Sequence, residues 1–227
     1  MKDIELWIID IDDTIAPHLT VRLGYDIAKK QLKNFELLKL SYTLAYGAVL
    51  HINKLYNDIC NYFGVYKSNA RLIKIFIEIA KKVDLSEYLY SRKEIERKMY
   101  AGVKEFISKL NGRKVMLSQS FSFKGGLVER YKEIFDAELV SNELFYDGGL
   151  RWSVKIKNKY NKRRHAEEFA RKYKAKSVGI IMNDYEDLEL LNMKNVNMVI
   201  MKRGPKKLRK KADFVVENSY LPLVSMV

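Results

Sequence analysis

An apolar run, Ile4-Glu5-Leu6-Trp7-Ile8-Ile9, ends abruptly in Asp10-Ile11-Asp12-Asp13-Thr14-Ile15. Two carboxylates at i and i+2 past the end of a strand can converge on one phosphate group. One can attack phosphorus while the other moves a proton. A dianion held beside a carboxylate needs positive charge, which a divalent metal and a lysine would supply. Taken alone, the same residues also read as an acidic turn that caps the next element.

The elements that must position these acids are legible along the chain. Ile4 to Ile9 is short, β-branched and aromatic, as a buried strand is. From residue 20 to about 99 no strand pattern stands out. Leu32, Phe35, Leu38 and Leu40 recur at helical spacing, as do Ile73, Ile75, Phe76, Ile79 and Ala80. Ser68 or Asn69 would cap the helix over 70–83, and Ser86 the next one. From about 101 helix and strand alternate. Val103–Leu110 reads as a helix ended by Asn111-Gly112, and Lys114–Leu117 as a strand running into Ser118. A helix and the strand Ala137–Val140 follow. Residues 143–156 read as a hairpin turning at Asp147-Gly148. Lys162–Tyr173 is a helix with Asn161 as its cap. Val178–Met182, Val196–Met201 and Phe214–Val216 are further strands.

Such alternation implies a parallel sheet with helices on both faces, whose ligands bind at the carboxyl ends of the strands. Those ends carry Asp10, Ser118 and Asn183. The fold class read from the sequence is α/β, a Rossmann-like doubly wound parallel sheet with an inserted all-helical cap. Residues 1–16 and 100–227 would form the α/β core. Residues 17–99 would form the cap, inserted after the first strand and lying over that edge as a lid.

The ordered motifs together resemble the haloacid dehalogenase-like superfamily, in its phosphoserine-phosphatase-like branch with a helical cap. The first motif of that family, strand then Asp-x-Asp-x-Thr/Val, matches Asp10, Asp12 and Thr14. The resemblance implies that Asp10 is the nucleophile, forming an aspartyl-phosphate, and that Asp12 is the general acid and base. The second motif is a Ser or Thr at the end of the next strand, matched by Ser118. Its small followers are replaced by Gln119 and Ser120. The third is a lysine near a helix start, for which Lys162 fits best, with Lys159 and Lys155 as rivals. The fourth runs Gly-Asp, then a second Asp four residues on. Ile181-Met182-Asn183-Asp184-Tyr185-Glu186-Asp187-Leu188 fits it in register.

By this resemblance Thr14, Ser118, Gln119 and Lys162 would hold the substrate phosphate. Asp10, Asp12, Asn183 and Asp187 would hold Mg²⁺, with Asp184 as an alternative reached by a one-residue shift. Asn183 stands where the family has its metal-binding Asp. An Asn ligates through its carbonyl oxygen but brings one negative charge fewer, and Mg²⁺ prefers charged hard oxygens. Weaker metal binding is the expectation. In the family a glutamate soon after the first motif binds the amine of phosphoserine. The stretch Ala16-Pro17-His18-Leu19-Thr20-Val21-Arg22 has none, which points away from phosphoserine. Arg22 and His18 are close enough in sequence to face the site. Tyr42, Tyr46, Tyr56, Tyr62 and Phe63 read as cap packing rather than a ligand stack.

Charge and composition bound the remaining possibilities. The 227 residues carry 42 Lys+Arg against 28 Asp+Glu, a formal charge of +14, with 48% apolar and 31% charged residues. That is globular composition, not disorder or a disulfide scaffold. Cys60 is the single cysteine, so no internal disulfide forms. No long uncharged apolar stretch suggests a membrane span, and the N-terminus is unlike a signal peptide. A cytoplasmic protein is expected. Basic residues cluster at 155–164 and 202–211. A cationic rim there would favour a small phosphorylated substrate with more than one negative group, while solvated surface lysines explain the same clusters equally well. The alternative function is a catalytically weak homologue acting as a phosphate-ligand or nucleic-acid binding module. A phosphotransferase would use the same residues as a phosphatase.

Overall fold

The computed structural model describes residues 3–17, 19–38, 40–41, 43–45, 47–49, 52, 56, 91–122, 126–146, 152–155, 162–183, 185–204 and 206–227. Seven strands form one sheet in the order β4-β3-β2-β1-β5-β6-β7. They are β1 (Leu6–Ile9), β2 (Arg113–Ser122), β3 (Glu138–Tyr146), β4 (Trp152–Lys155), β5 (Val178–Met182), β6 (Val196–Lys202) and β7 (Phe214–Val216). Neighbours pair in parallel except β3 with β4, which are antiparallel. Among the described residues, the helices with defined bounds are α1 (Leu19–Lys33), α2 (Arg92–Glu96), α3 (Val103–Lys109), α4 (Leu127–Phe135), α5 (Lys162–Lys172), α6 (Lys206–Arg209) and α7 (Leu221–Val224), with a 3₁₀ helix at Tyr185–Asn192, and the described residues between 37 and 56 are helical too.

Period-2 alternation divides the apolar side chains between two cores. On one face Trp7, Ile9, Met116, Ile181, Met198 and Ile200 pack against α3, α4 and α7 through Phe106, Ile107, Tyr131, Phe135 and Leu223. On the other, Leu6, Ile8, Val115, Leu117, Ile180, Met182 and Met201 pack against Ala166 and Ala170 of α5, and Leu190 and Leu208. Both faces of β1 and β5 are therefore buried throughout. That is why these segments read as continuous apolar runs rather than alternating ones. Gly112 closes the approach to β2 at φ +86°, where a Cβ would collide with the carbonyls of Ile4 and Glu5. The Asn-Gly stop read from the sequence thus also lets the chain pass close to the start of β1.

Three readings of the sequence are corrected. The helical spacing of Leu32, Phe35, Leu38 and Leu40 does not make one helix. α1 ends at Lys33, and Phe35 takes a left-handed conformation at φ 57°. The strand before Ser118 does not stop there, because β2 continues to Ser122. Its pairing with β3 shifts register between Leu117 and Phe121. The strand at 137–140 and the first arm of the hairpin are one strand, β3. The polar pair Ser141-Asn142, which reads as a break, is buried, and Ser141 Oγ donates to Ser122 Oγ at 2.7 Å. The extension of β2 supplies the partner that makes buried serines tolerable in mid-strand.

Between β1 and β2 the described residues are helical or in turns and add no strand to the sheet. Lys98, just past α2, meets Asp26 of α1 at 3.3 Å, and Thr43 donates to Gln31 at 2.7 Å. The helix over 70–83, its caps Ser68 and Asn69, and Ser86 lie outside the described residues. So do the turn Asp147-Gly148 and the cap Asn161. No helix among the described residues is long and apolar enough to cross a membrane.

Candidate active site

Asp10 follows β1 directly and extends its ladder, donating its N–H to Ile181 O at 2.9 Å. It continues the parity of Leu6 and Ile8, so it belongs to the α5 face. α5 begins at the carboxyl edge of the sheet. Side chains in the first turn of a helix lean toward its N-terminus. Lys162, the first residue of α5, therefore reaches the end of β1, and its ammonium donates to Asp10 Oδ1 at 2.6 Å and to Asp187 Oδ1 at 2.5 Å. Lys162 is 3% exposed, Asp10 6% and Asp187 1%. Buried charges of this kind persist only when paired, and one ammonium between two carboxylates meets that condition.

The other oxygen of Asp10 is also held. Thr14 Oγ1 donates to Asp10 Oδ2 at 2.8 Å, and Thr14 is wholly buried. A tight turn brings Thr14 back. Asp13 sits at φ 57°, a conformation Asp tolerates better than most residues, and its N–H donates to Ala16 O at 3.0 Å. Tyr220, from the far end of the chain, donates its hydroxyl to Thr14 O at 3.0 Å and stacks on Phe106 with ring centroids 5.6 Å apart. Burial above all, and then the charge of Asp10, raises the pKa of the Tyr220 phenol, so it stays a neutral donor.

Asn183 follows β5, which neighbours β1. Its side-chain Nδ2 donates to the backbone O of Asp12 at 3.1 Å, and its own N–H donates to Asp187 Oδ2 at 3.4 Å. The 3₁₀ turn after β5 is what brings Asp187 back over Asn183, four residues on. Gly204, at φ +40°, comes in from the turn after β6, and a Cβ there would sit 2.7 Å from Asn183 O. Ser118 is 1% exposed. β1 pairs Ile9 with Met116, and continuing that register sets Ser118 across from Ile11, beside the acids.

The residues singled out in the sequence divide as follows. Asp10, Thr14, Lys162 and Asp187 form one hydrogen-bonded cluster, and Asn183 joins it to Asp12. Within that cluster Thr14 touches the carboxylate of Asp10, and Asp187 touches Lys162. Gln119 lies in β2, and its side chain is outside the described residues. Asp184, Lys159 and His18 are also outside them, as are the side chains of Lys155 and Arg22. Tyr42, Tyr46, Tyr62 and Phe63 likewise fall outside, and Tyr56 is 50% exposed. Among the described residues no group of three or more His, Cys, Asp or Glu is arranged to hold a metal.

Reading the sequence missed a second cluster at this edge. Lys202, the last residue of β6, is 3% exposed. Its ammonium donates to Glu217 O at 2.6 Å and lies 3.8 Å from the centre of the Tyr100 ring. Burial above all, then neighbouring Arg203, lowers the Lys202 pKa, against the opposing pull of Asp13 and Glu217. Burial and then Asp13 raise the Tyr100 phenol, Arg203 opposes, and Asp12 raises it further. Tyr100 is thus within electrostatic reach of both acids and of Arg203. It is also fixed to the first motif, its N–H donating to Ile15 O at 2.9 Å. Nothing in the local sequence separates Lys202 from the six other cations of the stretch 202–211. Three of the basic clusters' members are committed elsewhere: Arg209 bonds Gly204 O at 2.8 Å and Glu217 at 2.7 Å. Arg163 and Arg164 pair with Glu167 and Glu168 one turn on.

No family model matches the chain, and no curated protein matches it by sequence. Solved structures do match. A phosphoserine phosphatase captured as a phospho-aspartyl intermediate analogue superposes with a TM-score of 0.67 at 17% identity, covering 100% of both chains. A phosphoserine phosphohydrolase-like protein from Francisella tularensis gives 0.62 at 14% identity over 98% of this chain and 99% of that one. A haloacid dehalogenase family hydrolase from Salmonella enterica serovar Typhi gives 0.60 at 14% identity over 99% and 72%. The sheet order, the helices on both faces and these likenesses agree: the chain has the haloacid dehalogenase-like fold, in its phosphoserine-phosphatase-like form.

Proposed function

We propose that the protein is a phosphomonoester hydrolase acting through an aspartyl-phosphate on Asp10. The observation that carries the reading is the buried Asp10–Lys162–Asp187 cluster at the carboxyl end of the central strand. A carboxylate clamped through both oxygens is held in one orientation, and orienting the attacking group removes much of the entropic barrier to reaction. Asp10 attacks phosphorus, and the bond from phosphorus to the ester oxygen breaks as Asp12 gives that oxygen a proton. Asp12, now ionised, takes a proton from water as the water oxygen attacks phosphorus. The acyl-phosphate bond breaks, releasing inorganic phosphate and the Asp10 carboxylate. Lys162 offsets charge at Asp10 throughout, and Ser118 and Gln119 are the proposed donors to the phosphoryl oxygens. Thr14 and Asp187 position Asp10 and Lys162.

The residues present fit Mg²⁺ as a weakly held cofactor. That ion is commonly bound by one or two carboxylates together with substrate phosphate and water. Asp10, the backbone carbonyl of Asp12 and the carbonyl of Asn183 would hold it, with Asp187 in support. When bound it would neutralise charge on the phosphoryl oxygens.

The helical segment 17–99 is proposed as the cap that selects the substrate, a small phosphorylated metabolite. Lys202 and Arg203, one strand beyond Asn183, favour a substrate carrying a second negative group. The Asn183 hydrogen bond to Asp12 O and the formal charge of +14 favour the alternative, a weakly catalytic binding module. Phosphate release from p-nitrophenyl phosphate and a panel of phosphorylated metabolites, with Mg²⁺ and with EDTA, decides between them. Metal-dependent turnover that Asp10→Asn abolishes is the expected outcome. Substantial activity in Asp10→Asn would remove Asp10 as nucleophile.

A further inference from the structure

We infer that in this protein the divalent cation and the phosphoryl group bind as a coupled pair, with the side-chain amide of Asn183 as the switching element; this rests on the phosphatase reading above. A carboxamide has a donor end and an acceptor end, exchanged by a half-turn about one bond. Without a cation, Asn183 must present Nδ2 to Asp12 O, because two carbonyl oxygens facing one another repel. The 3.1 Å hydrogen bond is that state. With a cation between them the preference reverses, since both oxygens then face positive charge. An aspartate at this position has no such closed state and cannot satisfy Asp12 O by itself.

Two costs therefore fall on cation binding here. The Asn183–Asp12 hydrogen bond must break, and the donor set lacks the negative charge that an Asp would bring. The oxygens of Asp10 are already shared with Lys162 and Thr14. A phosphoryl dianion bound beside the cation offsets both costs by adding negative oxygens to its donor set. Linkage makes the effect reciprocal: whatever factor phosphate adds to cation affinity, the cation adds to phosphate affinity.

Mn²⁺ binding to the full chain, followed by its electron paramagnetic resonance signal with and without saturating inorganic phosphate, tests this. Buffer blanks correct for Mn²⁺ complexed by phosphate in solution. Phosphate is expected to tighten Mn²⁺ binding by about tenfold or more, within the usual range of coupling between sites. Asn183→Asp should bind Mn²⁺ without phosphate at least about tenfold more tightly than the unmodified chain, with a smaller phosphate effect. Asn183→Leu, which removes both ends of the amide, should lose the tight binding in either condition. Circular dichroism melts establish that both variants are folded. Equal Mn²⁺ affinity with and without phosphate in the unmodified chain overturns the inference, as does Asn183→Asp behaving like the unmodified chain. Those results leave the nucleophile untouched. Failure of the phosphatase reading is instead seen as turnover that survives Asp10→Asn.

Discussion

Lys162 and Lys202 are each 3% exposed at the carboxyl edge of the same sheet, and each is accommodated differently. Lys162 sits between two carboxylates at 2.6 and 2.5 Å. Lys202 has a backbone carbonyl at 2.6 Å and an aromatic ring at 3.8 Å, and no carboxylate within ion-pairing distance among the described residues. The first arrangement cancels a charge and fixes a side chain. The second keeps a charge and shields it with weaker, partial dipoles. An ammonium of the first kind holds its carboxylates in one orientation, whereas one of the second kind keeps a positive field beside Asp13 and Tyr100.

That contrast can be broken from either side. Lys162→Met should have the largest effect. It leaves Asp10 and Asp187 facing each other without a cation, at a cost of about 3–5 kcal/mol in unfolding free energy. Phosphatase turnover should vanish with it. Denaturant titration and phosphate release measure the two losses, and a stable, active Lys162→Met would mean the cluster neither holds the fold nor serves the chemistry.

Tyr220→Phe comes next. The hydroxyl to Thr14 O bond is lost while the Phe106 stacking is kept, leaving a buried carbonyl unpaired at about 1–3 kcal/mol. Because Thr14 in turn holds Asp10 Oδ2, kcat should fall more than KM rises. An unchanged kcat with lowered stability would confine Tyr220 to packing.

The smallest effect is expected for Lys202→Met, and it is one of slope rather than size. The pKa of Lys202 is lowered in the folded protein, so between its folded and ordinary values the unfolded chain binds more protons. Its contribution to stability therefore rises with pH through the alkaline window just below 10.5 and is at its least favourable at neutral pH. Melting temperatures of the unmodified chain should gain on those of Lys202→Met as pH climbs through that window. Parallel curves would mean that Lys202 is less strongly desolvated than its burial implies.

Much of the candidate site is legible in the order of residues because its members sit at or just past strand ends. A strand whose two faces are both buried must be apolar throughout, so the first polar residues after it mark its carboxyl end. Asp10 and Asn183 are found that way. Lys162 was narrowed from three lysines by the spacing of Ala166 and Ala170, which face the sheet. Where the reading failed, a polar residue found a partner in another element. Ser141 reads as a strand end, yet the extension of β2 pairs it. Phe35 reads as part of a helical stripe, yet the backbone reverses there.

The sequence by itself determined the α/β class, the positions of β5, β6 and β7 and the neighbouring acids Asp10, Asp12 and Asp13, because each follows from local pattern and covalent order. Only the tertiary structure decided which atoms share a proton or a charge. Tyr220 lies 206 residues from Thr14, and Lys162 lies 152 from Asp10. Separations of that size leave no periodicity in the chain. They are set by how helices pack back onto the sheet, and so the donor to Thr14, the clamp on Asp10 and the orientation of the Asn183 amide come from the fold.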